Sequence, residues 1–228
     1  MKSTLFEKIF NFIDKYYYLR NISIYLNKLK INTVIDVGFH KGEFIENFFL
    51  YQKKKIYAFE PNPKIFIYSK KKFKNNKKIK IFNYCLSDKI KNRKFYINYL
   101  SSTSSLLNNS KIYDNFKKFL LHKKDLKYSI NLKTLTLDFA IMKNKISLKN
   151  ALLKIDTEGS EYAVLKGTKK NIKKMSYILL ENKFLIKDSF KNKNKIDLLL
   201  LKNNFVLIKR FIYPLFNFED RLYANKSL

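Results

Sequence analysis

From residue 33 onward, short apolar runs alternate with segments of helical spacing, and this restricts the chain to few architectures. The runs at 33–37, 55–59, 79–83, 151–155 and 176–181 have the length of strands. Helical spacing is found near 42–50, 63–74, 159–172 and 191–203. The closing stretches FVLIKRFI and RLYAN read as two more strands. Strands that alternate with helices form a mostly parallel sheet covered on both faces, so the expected fold class is α/β. Ligands of such sheets bind at the carboxyl ends of the strands, where the strand order reverses. The alternation lapses between 84 and 150. Extra strands are expected there at 93–97 and 130–134, flanking a polar cluster, SSTSSLLNNS, at 101–110.

At 228 residues the chain has the length of one domain with a substantial core. Phe6, Ile9, Phe10 and Ile13 give residues 3–19 a helical spacing. The expected organisation is a helical extension over 1–30 and an α/β domain over 31–228. Acids and bases are mixed along the extension, which favours packing on the domain over lying on a membrane, with peripheral membrane contact left open.

The formal net charge of +30 would ordinarily suggest nucleic acid or an anionic membrane. Of 48 basic residues, however, only Arg20, Arg93, Arg210 and Arg221 are arginine. Phosphate-reading surfaces favour arginine forks. Abundant Lys, Asn, Ile, Phe and Tyr with scarce Gly and Pro is what A/T-rich codons produce, so the charge argues only weakly for a nucleic-acid partner. Cys85 is the single cysteine, which excludes an intrachain disulfide and a cysteine-based zinc site. His40 and His122 are too few for a histidine-rich metal site. Glu7, Lys8 and Asp14 interrupt the first apolar run, unlike a signal peptide, and no run has the length of a membrane span. A cytoplasmic protein is expected, of unspecified oligomeric state.

The stretch VIDVGFHKG, residues 34–42, ends the first strand in an acid and two glycines. Glycine permits a sharp turn and close approach of a ligand to the backbone. G-x-x-x-G differs from the dinucleotide G-x-G-x-x-G, which favours a ligand without phosphates. Asp36 would be costly in a buried strand without a polar or cationic partner, such as a ligand's ammonium group. Glu60 ends the second strand eighteen positions after Gly42. That is close to the spacing of acids that hold ribose hydroxyls in nucleoside-binding sheets. A carboxylate accepts two hydroxyl hydrogen bonds at once.

VIDVGFHKGEF, YAFEPNP, SDK, SSL, LTLD and LLKIDTEGSEYAVLKG, spread over residues 31–182, together resemble the FkbM family of S-adenosylmethionine-dependent methyltransferases. The resemblance implies a Rossmann-like class I methyltransferase fold, with seven strands of which the last is antiparallel. It implies S-adenosylmethionine as cofactor and O-methylation of a hydroxyl, often on sugars or natural products. By the same resemblance Asp36, Gly38 and Gly42 would line the methionine half of the cofactor. Glu60 would hold the ribose, and Pro61 and Asn62 would shape the adenine side. Leu86, Ser87 and Asp88 would lie near the adenine. Many relatives have Ala-Asn where this chain has Phe39-His40, and His40 is assigned to the cofactor loop rather than to catalysis.

Methyl transfer needs a hydroxyl placed in line and its proton removed. Asp156 ends the fourth main strand, Glu158 follows it, and Glu181 ends the next strand in ILLE. These three are the candidate catalytic carboxylates. They are also oxygen donors of the kind Mg²⁺ takes, but the general-base role is preferred and no metal is assigned. Glu161 at the helix start has a structural alternative through the helix dipole, Asp156 or Thr157 could cap that helix, and Asp138 is expected to cap its own. Ser101 to Ser105 could contact a hydroxyl-rich acceptor or form an ordinary loop. The expected partner is a small-molecule or glycan acceptor. The alternatives are an RNA methyltransferase and a basic, non-catalytic binding module.

Overall fold

The computed structural model describes residues 18–50, 52–98, 101–108, 126–183, 187–213 and 218–228. The helix expected at 3–19 lies outside these residues except for its last two. In chain order the strands are β1 (Thr33–Val37), β2 (Lys55–Phe59), β3 (Ile79–Phe82), β4 (Cys85–Leu86), β5 (Lys91–Asn98), β6 (Leu126–Leu135), β7 (Ala151–Ile155), β8 (Tyr177–Lys183), β9 (Phe205–Ile212) and β10 (Phe218–Asn225). The helices are α1 (Leu19–Asn27), α2 (Glu43–Phe48), α3 (Pro63–Lys72), α4 (Leu137–Lys143), α5 (Glu161–Lys166) and α6 (Lys187–Leu201).

Seven strands form one sheet in the order β3-β2-β1-β7-β8-β10-β9. β10 runs antiparallel to both neighbours, and the other pairings are parallel. The expected architecture is therefore present. The order reverses between β1 and β7, so the gap beyond their carboxyl ends is where a ligand is expected. Every residue of β1 and β7 is buried, which explains their unbroken apolar runs. Asp36 and Lys154 are the two charged exceptions.

Side chains alternate across each strand and feed two cores. On one face Ile35, Val37, Leu153 and Ile155 pack with Leu137, Val164 and Leu200 from α4, α5 and α6. On the other, Val34 and Leu152 pack with Ile22 and Leu26 of α1, Ile45 and Phe48 of α2, and Phe73 after α3. Asn62 caps α3, its side chain accepting from Lys64 N, and Pro63 opens that helix where a missing N–H costs nothing. The last strand is tied to α6 by charge. Arg221 Nε donates to buried Glu219 at 2.6 Å, and its Nη1 lies 3.2 Å from Asp197. Among the described residues no helix is long and apolar enough to cross a membrane.

The irregular region holds a second sheet, β4-β6-β5, with β5 and β6 antiparallel. Both extra strands are longer than the expected 93–97 and 130–134. The part of the serine cluster within the described residues hangs from this sheet through a bridge between Tyr96 and Ser105. The helix expected over 159–172 is much shorter. Glu158 and Gly159 take left-handed backbone before it, at φ 56° and 102°. The Thr168 hydroxyl donates to the Val164 carbonyl as it ends.

Candidate active site

The loop after β1 is set by glycine geometry. Gly38 has φ 86°, and a Cβ there would stand 1.7 Å from the Asp156 carbonyl oxygen. Gly42 has φ 85°, and its Cβ would meet the Phe73 ring at 2.5 Å. The first reason for both glycines is thus the approach of the protein's own backbone and rings, rather than of a ligand as the sequence suggested. Gly42 also stands as the N-cap of α2.

Glu60 is 5 % exposed and locks this loop to the end of β2. His40 N donates to its Oε2 at 2.7 Å and Asn62 N to its Oε1 at 2.8 Å. Burial pushes the Glu60 carboxyl up to about 7, against the pull of those two N–H groups. Each oxygen keeps a lone pair for a further donor, which is what a ribose diol requires. His40 itself takes left-handed backbone at φ 50°. Its Nδ1 is 3.2 Å from Glu43 Oε1, and its Nε2 is 2.8 Å from Ser101 Oγ.

Asp36 lies at the centre of the sheet, wholly buried, and burial pushes its carboxyl up to about 6 despite the opposing lysine. Lys154 stands opposite it in register on β7, with Nζ 3.1 Å from Asp36 Oδ1. Among the described residues no donor meets hydrogen-bond geometry at either Asp36 oxygen. The partner expected from a ligand ammonium is therefore supplied first by the chain. A charged residue inside an otherwise apolar strand was the signal for Lys154, since such a group must find a partner.

Pro61 and Asn62 follow Glu60 at the mouth of α3, with Asn62 occupied as a helix cap. Ser87 is buried; its hydroxyl donates to Asp88 Oδ1 at 3.2 Å and accepts from Arg93 Nη1 at 2.9 Å. Asp88 sits below the usual carboxylate range. Burial opposes this, and the Ser87 hydroxyl, Lys166 and Arg93 outweigh it.

Asp156, Glu158 and Glu181 come together as a group, with carboxylate oxygens all within 4.8 Å of one another. Lys154 Nζ lies 3.4 Å from Asp156 Oδ2. Three carboxylates so placed could accept a proton or hold a divalent cation. Tyr18, missed in the sequence, donates its hydroxyl to Asp220 Oδ2 at 2.7 Å, and Asp220 faces Glu181 across the β8–β10 pairing. Burial and then the Asp220, Glu181 and Asp156 carboxylates raise the Tyr18 phenol.

Glu161 takes the structural role. Its Oε1 accepts from Thr157 N, Thr157 Oγ1 and Gly159 N, holding the turn that carries Glu158. Ser160 is the N-cap of α5, so neither Asp156 nor Thr157 caps it. Asp138 is not the cap of α4 either. Thr136 caps it, while Asp138 accepts from Lys170 N and Asn171 N and ties α4 to the chain after α5. The serine cluster reaches both loops of the site. Ser101 meets His40, and the Ser105 hydroxyl donates to the Glu158 carbonyl at 2.9 Å.

A buried acid with free acceptor capacity after β2 and a tight glycine-bounded turn after β1 fit an adenosyl cofactor with an amino-acid tail. The family model for the methyltransferase FkbM domain matches residues 36–207. No curated protein sequence matches the chain. Several solved methyltransferase structures resemble it. Ribosomal protein L11 methylase from Lactobacillus delbrueckii subsp. bulgaricus has a TM-score of 0.51 at 11% identity, covering 91% of this chain and 77% of that one. A SAM-dependent methyltransferase from Aquifex aeolicus has a TM-score of 0.49 at 11% identity, covering 93% and 92%. M. capricolum TrmK, solved with S-adenosyl-homocysteine, has 0.46 at 15%, covering 92% and 68%. At such identities the likeness describes the fold, which is the Rossmann-like class I methyltransferase fold. The chain belongs to the FkbM methyltransferase domain family, with S-adenosylmethionine as its cofactor.

Proposed function

We propose that this methyltransferase transfers its methyl group to a hydroxyl oxygen of a sugar, glycan or small natural product. The observation that carries the reading is the convergence of Asp156, Glu158 and Glu181 at the carboxyl ends of β7 and β8, beside the cofactor loop. The cofactor, when bound, supplies an electrophilic methyl group on a sulfonium. Glu60 accepts the ribose hydroxyls, with the loop of Asp36, Gly38, His40 and Gly42 along the amino-acid tail. Pro61, Asn62, Ser87 and Asp88 border the base.

The carboxylate group takes the proton from the acceptor hydroxyl. Asp156 is suited to this because Lys154, with Nζ 3.4 Å from its Oδ2, holds it in place at the end of β7. A floor of carboxylates also repels phosphate, which favours a neutral acceptor over RNA.

The test is a thermal shift with S-adenosylhomocysteine on the native chain and on Glu60→Ala. A ligand that binds only the folded state raises the melting temperature. Stabilisation of the native protein that is lost in the variant supports the cofactor site, and no shift at saturating ligand refutes it. Methyl transfer is then assayed against neutral sugars and against RNA. RNA methylation that falls steeply with salt would replace the hydroxyl-acceptor reading.

A further inference from the structure

We propose that Lys154 is a positioning residue of the methyl-transfer site, its ammonium clamping the cofactor loop after β1 to the acid that ends β7. Three oxygen contacts and one ring define the clamp. Nζ lies 3.1 Å from Asp36 Oδ1 and 3.4 Å from Asp156 Oδ2. It donates to the Gly38 carbonyl at 3.2 Å and lies 5.5 Å from the centroid of the Phe44 ring on α2. An ammonium carries three protons, and here three oxygens from two strands and one loop surround it.

A lysine present only to neutralise Asp36 would need the first contact alone. The other two run to the backbone of the cofactor loop and to a carboxylate of the catalytic group. Asp156 follows β7 directly, two residues after Lys154, so the two side chains lie on one side of the chain and the shorter acid is held from behind. The side chain of Lys154 is 11 % exposed against 33 % for Asp156, so the lysine is the buried anchor and the acid the reaching group.

The inference rests on the methyltransferase reading, and its test separates the two. Lys154→Met alone would strand a buried carboxylate and can fail to fold. The comparison is therefore between Asp36→Asn and the double variant Asp36→Asn/Lys154→Met, with melting temperature and S-adenosylhomocysteine affinity by calorimetry measured on each. The double variant is expected to melt within about 3 °C of Asp36→Asn and to bind at least tenfold more weakly. Equal affinity of the two variants would overturn the clamp and leave Lys154 as a counter-ion. Should the double variant not fold, Lys154→Arg keeps the charge opposite Asp36 and carries the test. Binding tenfold weaker than native at an unchanged melting temperature supports the clamp, and native affinity overturns it. Absence of binding by the native protein would overturn the methyltransferase reading and the clamp with it.

Discussion

His40 Nε2 lies 2.8 Å from Ser101 Oγ, joining the loop after β1 to a serine segment sixty-one residues away. Ser105 makes the second junction, its hydroxyl donating to the Glu158 carbonyl and accepting from Leu107 N at 3.1 Å. Residues 101–105 thereby span the ends of β1 and β7 and form one wall of the site.

The two junctions should differ in energy. Ser105 is 2 % exposed, and its removal deprives the buried Glu158 turn and Leu107 N of a partner. Ser105→Ala should destabilise by about 1–3 kcal/mol in urea unfolding, while Ser101→Ala, beside solvent, should cost under about 1 kcal/mol. Equal costs would show that the wall is not anchored at Ser105.

The buried acids predict a pH dependence. Burial raises Asp36 to about 6 and Glu60 to about 7. A carboxyl raised by folding binds its proton more tightly in the folded state. Its contribution is full below the unfolded value and is lost as pH rises through the folded one. For Glu60 the loss between pH 5.5 and 8 is about 2 kcal/mol. The ligand-free protein should therefore melt about 5 °C lower at pH 8 than at pH 5.5. Glu60→Gln should remove most of the difference. A melting temperature that rises over this range in the native protein, or a difference undiminished in the variant, would contradict it.

Gly38→Ala places a methyl group where the Asp156 carbonyl already stands and forces a left-handed backbone on an L-residue. Differential scanning calorimetry should show a loss of about 3 kcal/mol or more, or no folded protein. A variant that melts like the native chain would mean that β1 and β7 do not approach as closely as described.

The sheet was largely legible because its central strands are buried on both faces, so their apolar runs are continuous and their boundaries coincide with β1, β2 and β7. Asp36 and Glu60, proposed for the cofactor, were singled out by position, since they stand at the carboxyl ends of consecutive parallel strands. What could not be read was which distant groups meet them. Lys154 faces Asp36 only because β7 inserts beside β1, bringing together residues far apart in the chain. Asp138 looked like a cap because it sits in a first helical turn, yet Thr136 fills that role and the acid reaches the 170 region instead. Glycine at 38 was read as room for a ligand, when the nearer constraint was the neighbouring strand. The helix after β7 was overestimated because its apolar spacing continues past Thr168, where side-chain and turn hydrogen bonds have already ended it.

The catalytic and structural acids should separate in assay. With an acceptor in hand, Asp156→Asn should lower kcat by about 10²–10⁴, as expected for loss of a general base, and leave the protein folded. Glu161→Gln should act mainly on stability, lowering it by about 1–3 kcal/mol, since the buried Glu161 Oε1 accepts three hydrogen bonds. Activity in Asp156→Asn within threefold of native would remove it from the reaction.

The second sheet is an excursion made between β3 and β7, and it touches the methyl-transfer end through few side chains. The proposed contacts to ribose and amino-acid tail, at Glu60, Asp36 and Gly38, come from other strands, while Ser87 and Asp88 lie at the root of this excursion. An exchange of the segment Ser101–Thr103, which reaches the loop after β1 without entering the core, should therefore alter what is methylated before it alters whether the chain folds. On the proposed assignment, selectivity and catalytic power would occupy separable stretches of the polypeptide, and the former could drift while the latter is kept.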